Sequence, residues 1–492
     1  MKRNFIIILL ASLSLAACSK DYLETAPTAS VAEKDLFTTL TGAQTLLDGI
    51  HRHTYTFHGA HDKFGQKAID YAMDCLGEDF YPTERGYGWF VGWYQYIEHR
   101  NINSANLEYV WSYYYDIIQN ANLILANIDN IPVVEAQVPL KNNIKAQALT
   151  YRAYAHYMLV QLYADRYDFA SGATNSHLGV PVRLTPDADP VPRSTVAQVY
   201  TQVKKDLTDA LTLFVNSSAR VNISHININV ASAIAARVAL TTGDWANAVT
   251  YAKEARTGRT LEADYTYGWN KASTEWIWGA LLIDEQQTSY ASFFSHIDPN
   301  FGGYAALGNH KLISTSVYNY MNDRDARKTL FQPVGSKPLV GFKFNGDGEW
   351  TNDYLYIKAG EMYFIEAEAE ARRGNNPEAQ EVLKQLLTAR WISKYEDETS
   401  SIPADQAYVE TSLTGEALIE HILMHRRAEL WGDGQRFLDI KRLNKGMDRR
   451  DLGHNPAQWN AASNFSAGDK NFVFLIPKQE MDANPEMVQN PL

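Results

Sequence analysis

Seven apolar residues, Leu107, Trp111, Tyr114, Ile118, Ala121, Leu125 and Ile128, recur at alternating steps of four and three, and the pattern returns at Ile144, Ala148, Tyr151, Ala155, Met158 and Leu162. Only an α-helix, with about 3.6 residues per turn, brings such positions onto one face. Ile131-Pro132 closes the first helix, because proline cannot continue one, so the two stripes predict a helical hairpin with a short connection. An earlier stripe, Leu36, Leu40, Ala43, Leu47 and Ile50, predicts another helix starting near Asp35.

Two later stretches can be superimposed. Ala235 to Gly243 and Glu366 to Gly374 each end an alanine-rich helix at glycine, and Ala246, Ala248, Val249 and Ala252 or Ala379, Val382, Leu383 and Leu386 then begin another. Glycine supplies the left-handed cap and alanine permits close helix approach, the mechanical content of a tetratricopeptide-like hairpin. The two glycines lie much further apart than the roughly 34 residues of a contiguous array. The expected fold is therefore mainly α: a tetratricopeptide-like helical hairpin scaffold with long loop-rich insertions and a few short strands. The insertions fall at about 51–105 and 258–355, where glycine, aromatic and Asp/Asn residues replace helical periodicity. Val340 to Phe344 and Tyr354 to Lys358 are candidate strands, and Pro186, Pro190 and Pro192 mark an irregular connection.

Before the scaffold, Lys2 and Arg3 precede an apolar run from Phe5 to Leu15, then Leu15-Ala16-Ala17-Cys18. The run is shorter than the roughly 20 residues that cross a bilayer, and small residues before a cysteine suit a lipoprotein cleavage site. Residues 1–17 are expected to be a signal peptide, Cys18 the lipid-bearing residue, 18–34 a tether and 35–492 one domain. Several acyl chains would hold the chain at a membrane where one would not. Ser19-Lys20-Asp21 suits transfer to the outer membrane and the cell surface.

The 492 residues are 45% apolar and 21% charged, with a formal charge of −12 and no Lys/Arg run longer than two, which removes nucleic acid from the expected partners. With Cys18 used by lipid, Cys75 has no disulfide partner and reads as a small core residue. No HExxH, nucleophile elbow, phosphate loop, dinucleotide fingerprint or CxxC is present, so no catalytic residue, metal or cofactor is expected. Asp284-Glu285 and Asp323 with Asp325 are the available carboxylate pairs for glycoside hydrolysis, a chemistry defined by separation in space. Asn345, Asp347, Glu349, Asn352 and Asp353 lack calcium-loop spacing and read as a surface turn.

Aromatic residues concentrate in two places. Tyr87, Trp89, Phe90, Trp93, Tyr94 and Tyr96 lie among Gly86, Gly88 and Gly92, and Trp276, Trp278, Tyr290, Phe293, Phe294, Phe301 and Tyr304 form a second group. A ring offers a flat apolar face and, in Trp and Tyr, a polar edge, matching the CH faces and hydroxyl rims of sugars. Taken singly each ring serves equally to fill a satellite core; as a set they are the candidate ligand platform.

Residues Ile422 to Arg442, containing Arg426, Glu429, Leu430, Asp433, Arg436, Asp439 and Arg442, resemble the ER-x-x-EL-x-x-EG-x-R-x-x-D-x-x-R block of the SusD/RagB family of outer-membrane nutrient-binding lipoproteins. The ending, Phe474 to Glu480, Asn484-Pro485 and Gln489-Asn490-Pro491, is similar to that family's, while His425 and Gly432 stand where it usually has Glu and an aromatic residue. By its charge spacing alone the block reads as an ion-pair lattice. The resemblance implies a surface-exposed outer-membrane lipoprotein, not an enzyme, that binds a glycan or oligosaccharide and delivers it to a SusC-like TonB-dependent transporter. Expected ligand residues are Tyr87, Trp89, Trp93, Tyr94, Trp276, Trp278, Tyr290 and Tyr304, with Asp74, Asp79 and Arg85 bonding hydroxyls. Peptide capture, a surface glycan hydrolase and a purely structural transporter subunit are the alternatives.

Overall fold

The computed structural model of the chain describes residues 36–392, 408–459 and 462–492. Cys18, the signal segment and the tether lie outside them.

Both stripes fold as helices whose ends are set by local chemistry. The first described helix, α1 (Leu40–His53), is capped by the Thr39 hydroxyl, which accepts from the Gly42 amide. Next come α2 (Gln66–Leu76), strand β1 (Phe80–Pro82) and a single turn, α3 (Val91–Tyr94). The expected hairpin is α4 (Ala105–Asn127), capped by Ser104 on the amides of Asn106 and Leu107, and α5 (Val138–Tyr163), with proline in its first turn. Thr195 and Gln198 form a capping box at α6 (Val196–Phe214).

The first glycine hairpin is α7 (Ile228–Thr241) and α8 (Trp245–Ala255). After it come β2 (Trp276–Ala280), α9 (Phe293–Ile297), β3 (Lys311–Ile313), β4 (Phe331–Val334), β5 (Lys337–Gly341) and β6 (Tyr354–Lys358). The second is α10 (Ala359–Arg372) and α11 (Asn376–Ala389), followed by α12 (Gly415–Glu429) and α13 (Arg436–Arg442). Gly243 and Gly374 have φ of +71° and +83°, the left-handed caps expected of them. Consecutive long helices pack on one another, α4 on α5, α5 on α6, α6 on α7, α7 on α8, α8 on α10 and α10 on both α11 and α12.

The strands make a four-stranded antiparallel sheet in the order β1-β3-β5-β4 and a separate β2-β6 pair. β6 spans the expected residues, whereas β5 begins at Lys337 and leaves the sheet after Gly341. Its start is fixed by the two-residue Gly335-Ser336 turn that pairs Val334 with Lys337, Gly335 taking φ +57°. The insertion 51–105 also holds a helix that periodicity did not reveal. All eleven residues of α2 are buried, although Gln66, Lys67, Asp70 and Asp74 share one face of it. Its polar groups find internal partners: Lys67 donates to the Gly432 carbonyl, Gln66 to Asp70, and Asp74 accepts from the Gly434 amide. Cys75, on the same helix, is a free buried thiol that burial pushes up in pKa, as befits an inert core residue.

The charged block at 426–442 is an internal lattice. Arg390 donates to Glu275 at 2.7 Å and to Glu429 at 3.0 Å, while Arg327 and Lys358 approach the same Glu429 carboxylate at 3.4 and 3.3 Å. Asp433 receives Lys343 at 2.8 Å and Lys358 at 3.2 Å. Asp439 joins Arg426 and Arg442, and Arg442 continues to Glu368. Burial pushes the Glu429 carboxyl up, but Arg390, Lys358 and Arg327 outweigh it and hold the group far below the usual range. Asp433, opposed by burial in the same way, is brought down to about 2 by Lys343, Lys358 and Lys67. In the unfolded chain such carboxyls titrate near 4, so this stabilisation is complete above that pH and is lost as pH falls through the lower folded values.

Glu429→Gln removes the shared anion and leaves Arg390 and Arg327 facing one another. Chemical denaturation at neutral pH is expected to show a loss of about 3–5 kcal/mol. The gap between variant and parent should narrow as pH drops below about 4.

Candidate functional site

Phe90 has a left-handed backbone, φ +61°, and is buried against Tyr71, with ring centroids 4.3 Å apart, and against His296 at 5.0 Å. That anchor fixes the end of the loop from Arg85 to Trp89. Gly86 and Gly88, at φ +50° and +92°, turn the chain, and the Gly88 amide closes the turn on the Arg85 carbonyl. Tyr87 is thereby thrown outward, 74% exposed, and Trp89 is left half-buried beside it.

A second loop meets the first through α9. Gly303 approaches Ser295 so closely that a Cβ would lie 2.4 Å from the Ser295 Cα. Tyr304 consequently lies over buried His296, with centroids 4.9 Å apart, and its hydroxyl meets His61 Nδ1 at 2.5 Å. His296 in turn bonds the His61 carbonyl through Nε2, and burial lowers its pKa to about 3, so it is a neutral strut.

Around Tyr304 the rings are continuous. Tyr87 is at 5.3 Å, Tyr290 at 5.5 Å and Trp89 at 6.2 Å, while His61 is stacked on Trp89 at 5.4 Å and Trp350 extends the patch from Tyr290 at 5.2 Å and Phe301 at 4.4 Å. A recess of about 30 Å³ opens among Gly86, Tyr87, Trp89, Tyr304, Leu307 and Asn309. Two polar atoms of its lining residues, Trp89 Nε1 and Asn309 Oδ1, are covered yet have no hydrogen-bond partner among the described residues. Flat rings beside an unused donor and an unused acceptor suit a ligand with apolar faces and hydroxyl edges. The larger cavity, about 370 Å³ between Asp165–His177 and Ile440–Val473, shares no lining residue with this patch and has His177 and Phe472 as its rings.

A SusD-like family model described as "Starch-binding associating with outer membrane" matches residues 21–240, and the SusD family model matches residues 341–492. The chain belongs to the SusD/RagB family. Solved structures agree on the fold. A SusD-like carbohydrate binding protein from Bacteroides vulgatus is 24% identical with TM-score 0.78, the match covering 91% of this chain and 97% of that one. A SusD superfamily protein from Bacteroides thetaiotaomicron is 24% identical with TM-score 0.76, covering 92% and 100%. Surface glycan-binding protein A from Bacteroides fluxus is 18% identical with TM-score 0.69, covering 91% and 98%. Among curated proteins no sequence matches the chain.

In this SusD/RagB chain the two aromatic groups divide by exposure. Tyr87, Trp89, Tyr290 and Tyr304 come together at the surface, with Arg85 exposed at the base of their loop. Trp93, Tyr94, Trp276 and Trp278 do not join them, because all four are core. Trp93 packs on His99 and Phe474, Tyr94 bonds His454, Trp276 donates to Tyr267, and Trp278 donates to the Ser224 carbonyl. Asp74 and Asp79 are also withdrawn from any ligand. Asp74 caps the Gly434 amide, and Asp79 is held by Arg427 and Ser314, its pKa pushed up by burial but pulled lower overall by Arg427 and Arg436. Asp325 is buried on Arg327, Asp323 lies on Lys328, and Asp284 and Glu285 share an exposed turn. In the 345–353 turn, Asp347 pairs with Lys271, and Asp353 accepts the amides of Leu282 and Ala272.

Sequence reasoning missed His61 and Trp350 as site residues: one is the last of four histidines between 51 and 61, the other sits within what reads as a polar turn. Among the described residues no helix is long and apolar enough to cross a membrane.

The division by exposure is measurable. Trp93→Ala should cost about 3–5 kcal/mol in denaturant unfolding, as a buried aromatic truncation does, whereas Tyr87→Ala should stay within about 0.5 kcal/mol of the parent.

Proposed function

We propose that this SusD/RagB chain is a non-enzymatic, outer-membrane lipoprotein, anchored through Cys18 and facing the cell exterior, that binds a glycan at the Tyr87–Trp89–Tyr304–Tyr290 patch and passes it to a SusC-like TonB-dependent transporter. The observation that carries the reading is the continuous exposed ring surface, with Trp89 Nε1 and Asn309 Oδ1 left without partners among the described residues. Further support comes from the starch-binding description of the family model that matches residues 21–240, and from similarity to structures named for carbohydrate and surface glycan binding. Rings take the CH faces of sugar units, and the indole N–H and the amide oxygen serve their hydroxyls. Arg85, exposed beside the patch, has room to do the same.

Titration calorimetry of the chain lacking residues 1–18 against plant, host and microbial polysaccharides tests the reading. At least one is expected to bind, with no release of reducing ends. Tyr87→Ala combined with Tyr290→Ala, both at exposed positions, should weaken that binding at least about tenfold without changing the unfolding midpoint. Undiminished binding in the double variant, or no polysaccharide binding at all, would refute it.

In cells, Cys18→Ala should move the protein from the membrane fraction to the soluble fraction.

A further inference from the structure

On α1, Asp48 and His51 stand three residues apart and so face the same way, and His225, from the segment before α7, comes up against them. One carboxylate oxygen of Asp48 and one ring nitrogen from each histidine lie within 4.8 Å of one another. The His51 and His225 rings are 4.3 Å apart at 37°. His51 is 5% exposed; its Nδ1 meets the Tyr151 hydroxyl at 2.6 Å, while its Nε2 is covered and has no hydrogen-bond partner among the described residues. Whichever tautomer is present, a buried ring nitrogen is left unserved, an arrangement that ordinarily costs stability.

We infer that Asp48, His51 and His225 form a binding site for a zinc-type divalent transition ion, with the fourth position open to water. Two imidazoles and a carboxylate are a borderline-soft ligand set that suits zinc and disfavours calcium or magnesium, which take oxygen. Tetrahedral zinc at about 2.0–2.1 Å from nitrogen or oxygen needs ligand atoms about 3.3 Å apart. The present atoms lie within 4.8 Å, and Asp48, exposed, and His225, half-exposed, have room to turn toward buried His51.

The surrounding contacts fit the role. Nδ1–H of His51 donating to the Tyr151 hydroxyl leaves the Nε2 lone pair for the metal, and Gln44 Nε2 donates to Asp48 Oδ1 at 2.7 Å, steadying the carboxylate. Arg220 lies near, but its guanidinium is engaged with the carbonyls of His225 and Ile277. An ion here would fasten α1 to the chain leading into α7, and the site is independent of the aromatic patch.

The test uses the chain lacking residues 1–18, stripped with chelator and dialysed, then given zinc chloride. Elemental analysis after gel filtration is expected to find one zinc per chain, and zinc should raise the melting temperature while calcium chloride does not. Cobalt chloride should produce the visible absorption of a tetrahedral site. His225→Ala and Asp48→Asn, both at solvent-accessible positions, should each weaken zinc binding at least tenfold while leaving the metal-free melting temperature close to the parent's, and polysaccharide binding should be unchanged. Failure to retain zinc, or zinc retained equally by both variants because histidines elsewhere hold it, would overturn the assignment.

Discussion

Glu429 carries one buried negative charge that Arg390, Arg327 and Lys358 all share, and the packing of the C-terminal half depends on it. Taking these ions out of water is expensive, and the expense is offset only when every partner is in place. The lattice therefore acts less as added stability than as a condition on geometry. Arg390 brings in the end of α11, Lys358 the end of β6, Arg327 the single helical turn Ala326–Thr329 before β4, and Glu275 the strand β2. A second branch runs from Arg427 and Arg436 to Asp79 and Glu78, just ahead of β1. β1 leads directly into the loop of Tyr87 and Trp89, so the surface patch is positioned by charges in the interior.

The parts of this arrangement that could be read from sequence are those with two unlike faces. The stripes at Leu107–Ile128 and Ile144–Leu162, and the Gly243 and Gly374 caps, each leave a periodic or conformational signature, and each became the expected element. α2 carries a polar face too, in Gln66, Lys67, Asp70 and Asp74, but all eleven of its residues are buried, so that face meets internal partners and not solvent. A similar gap between residue type and exposure explains the aromatic residues. Composition reports that a ring is present, but not whether its face meets solvent or Phe474, so Trp93 and Tyr94 were indistinguishable from Tyr87 and Trp89 until the chain turned at Phe90. Asp74 and Asp79 misled for a related reason: a carboxylate beside an aromatic run looks available until its arginine or backbone partner, hundreds of residues away, is placed.

Charge spacing, by contrast, was informative even without coordinates. The alternation of Arg426, Glu429, Asp433, Arg436 and Asp439 was legible as a lattice because ion pairing is the one arrangement in which so many ionised groups tolerate the same small volume. What could not be foreseen was its depth, since the stabilising cations, Lys343, Lys358 and Arg390, are supplied from outside the motif.

The patch draws His61, Tyr87 with Trp89, Tyr290, Tyr304 and Trp350 from separate stretches of chain that meet through their rings and a few hydrogen bonds, among them that of His61 with the Tyr304 hydroxyl. A molecule spanning those rings would close several loops of chain at once, as a cross-link does, and each closure subtracts entropy only from the state in which the loops have parted. Occupancy would then be felt as reluctance to open in stretches of backbone that are remote in sequence and carry no ligand contact of their own.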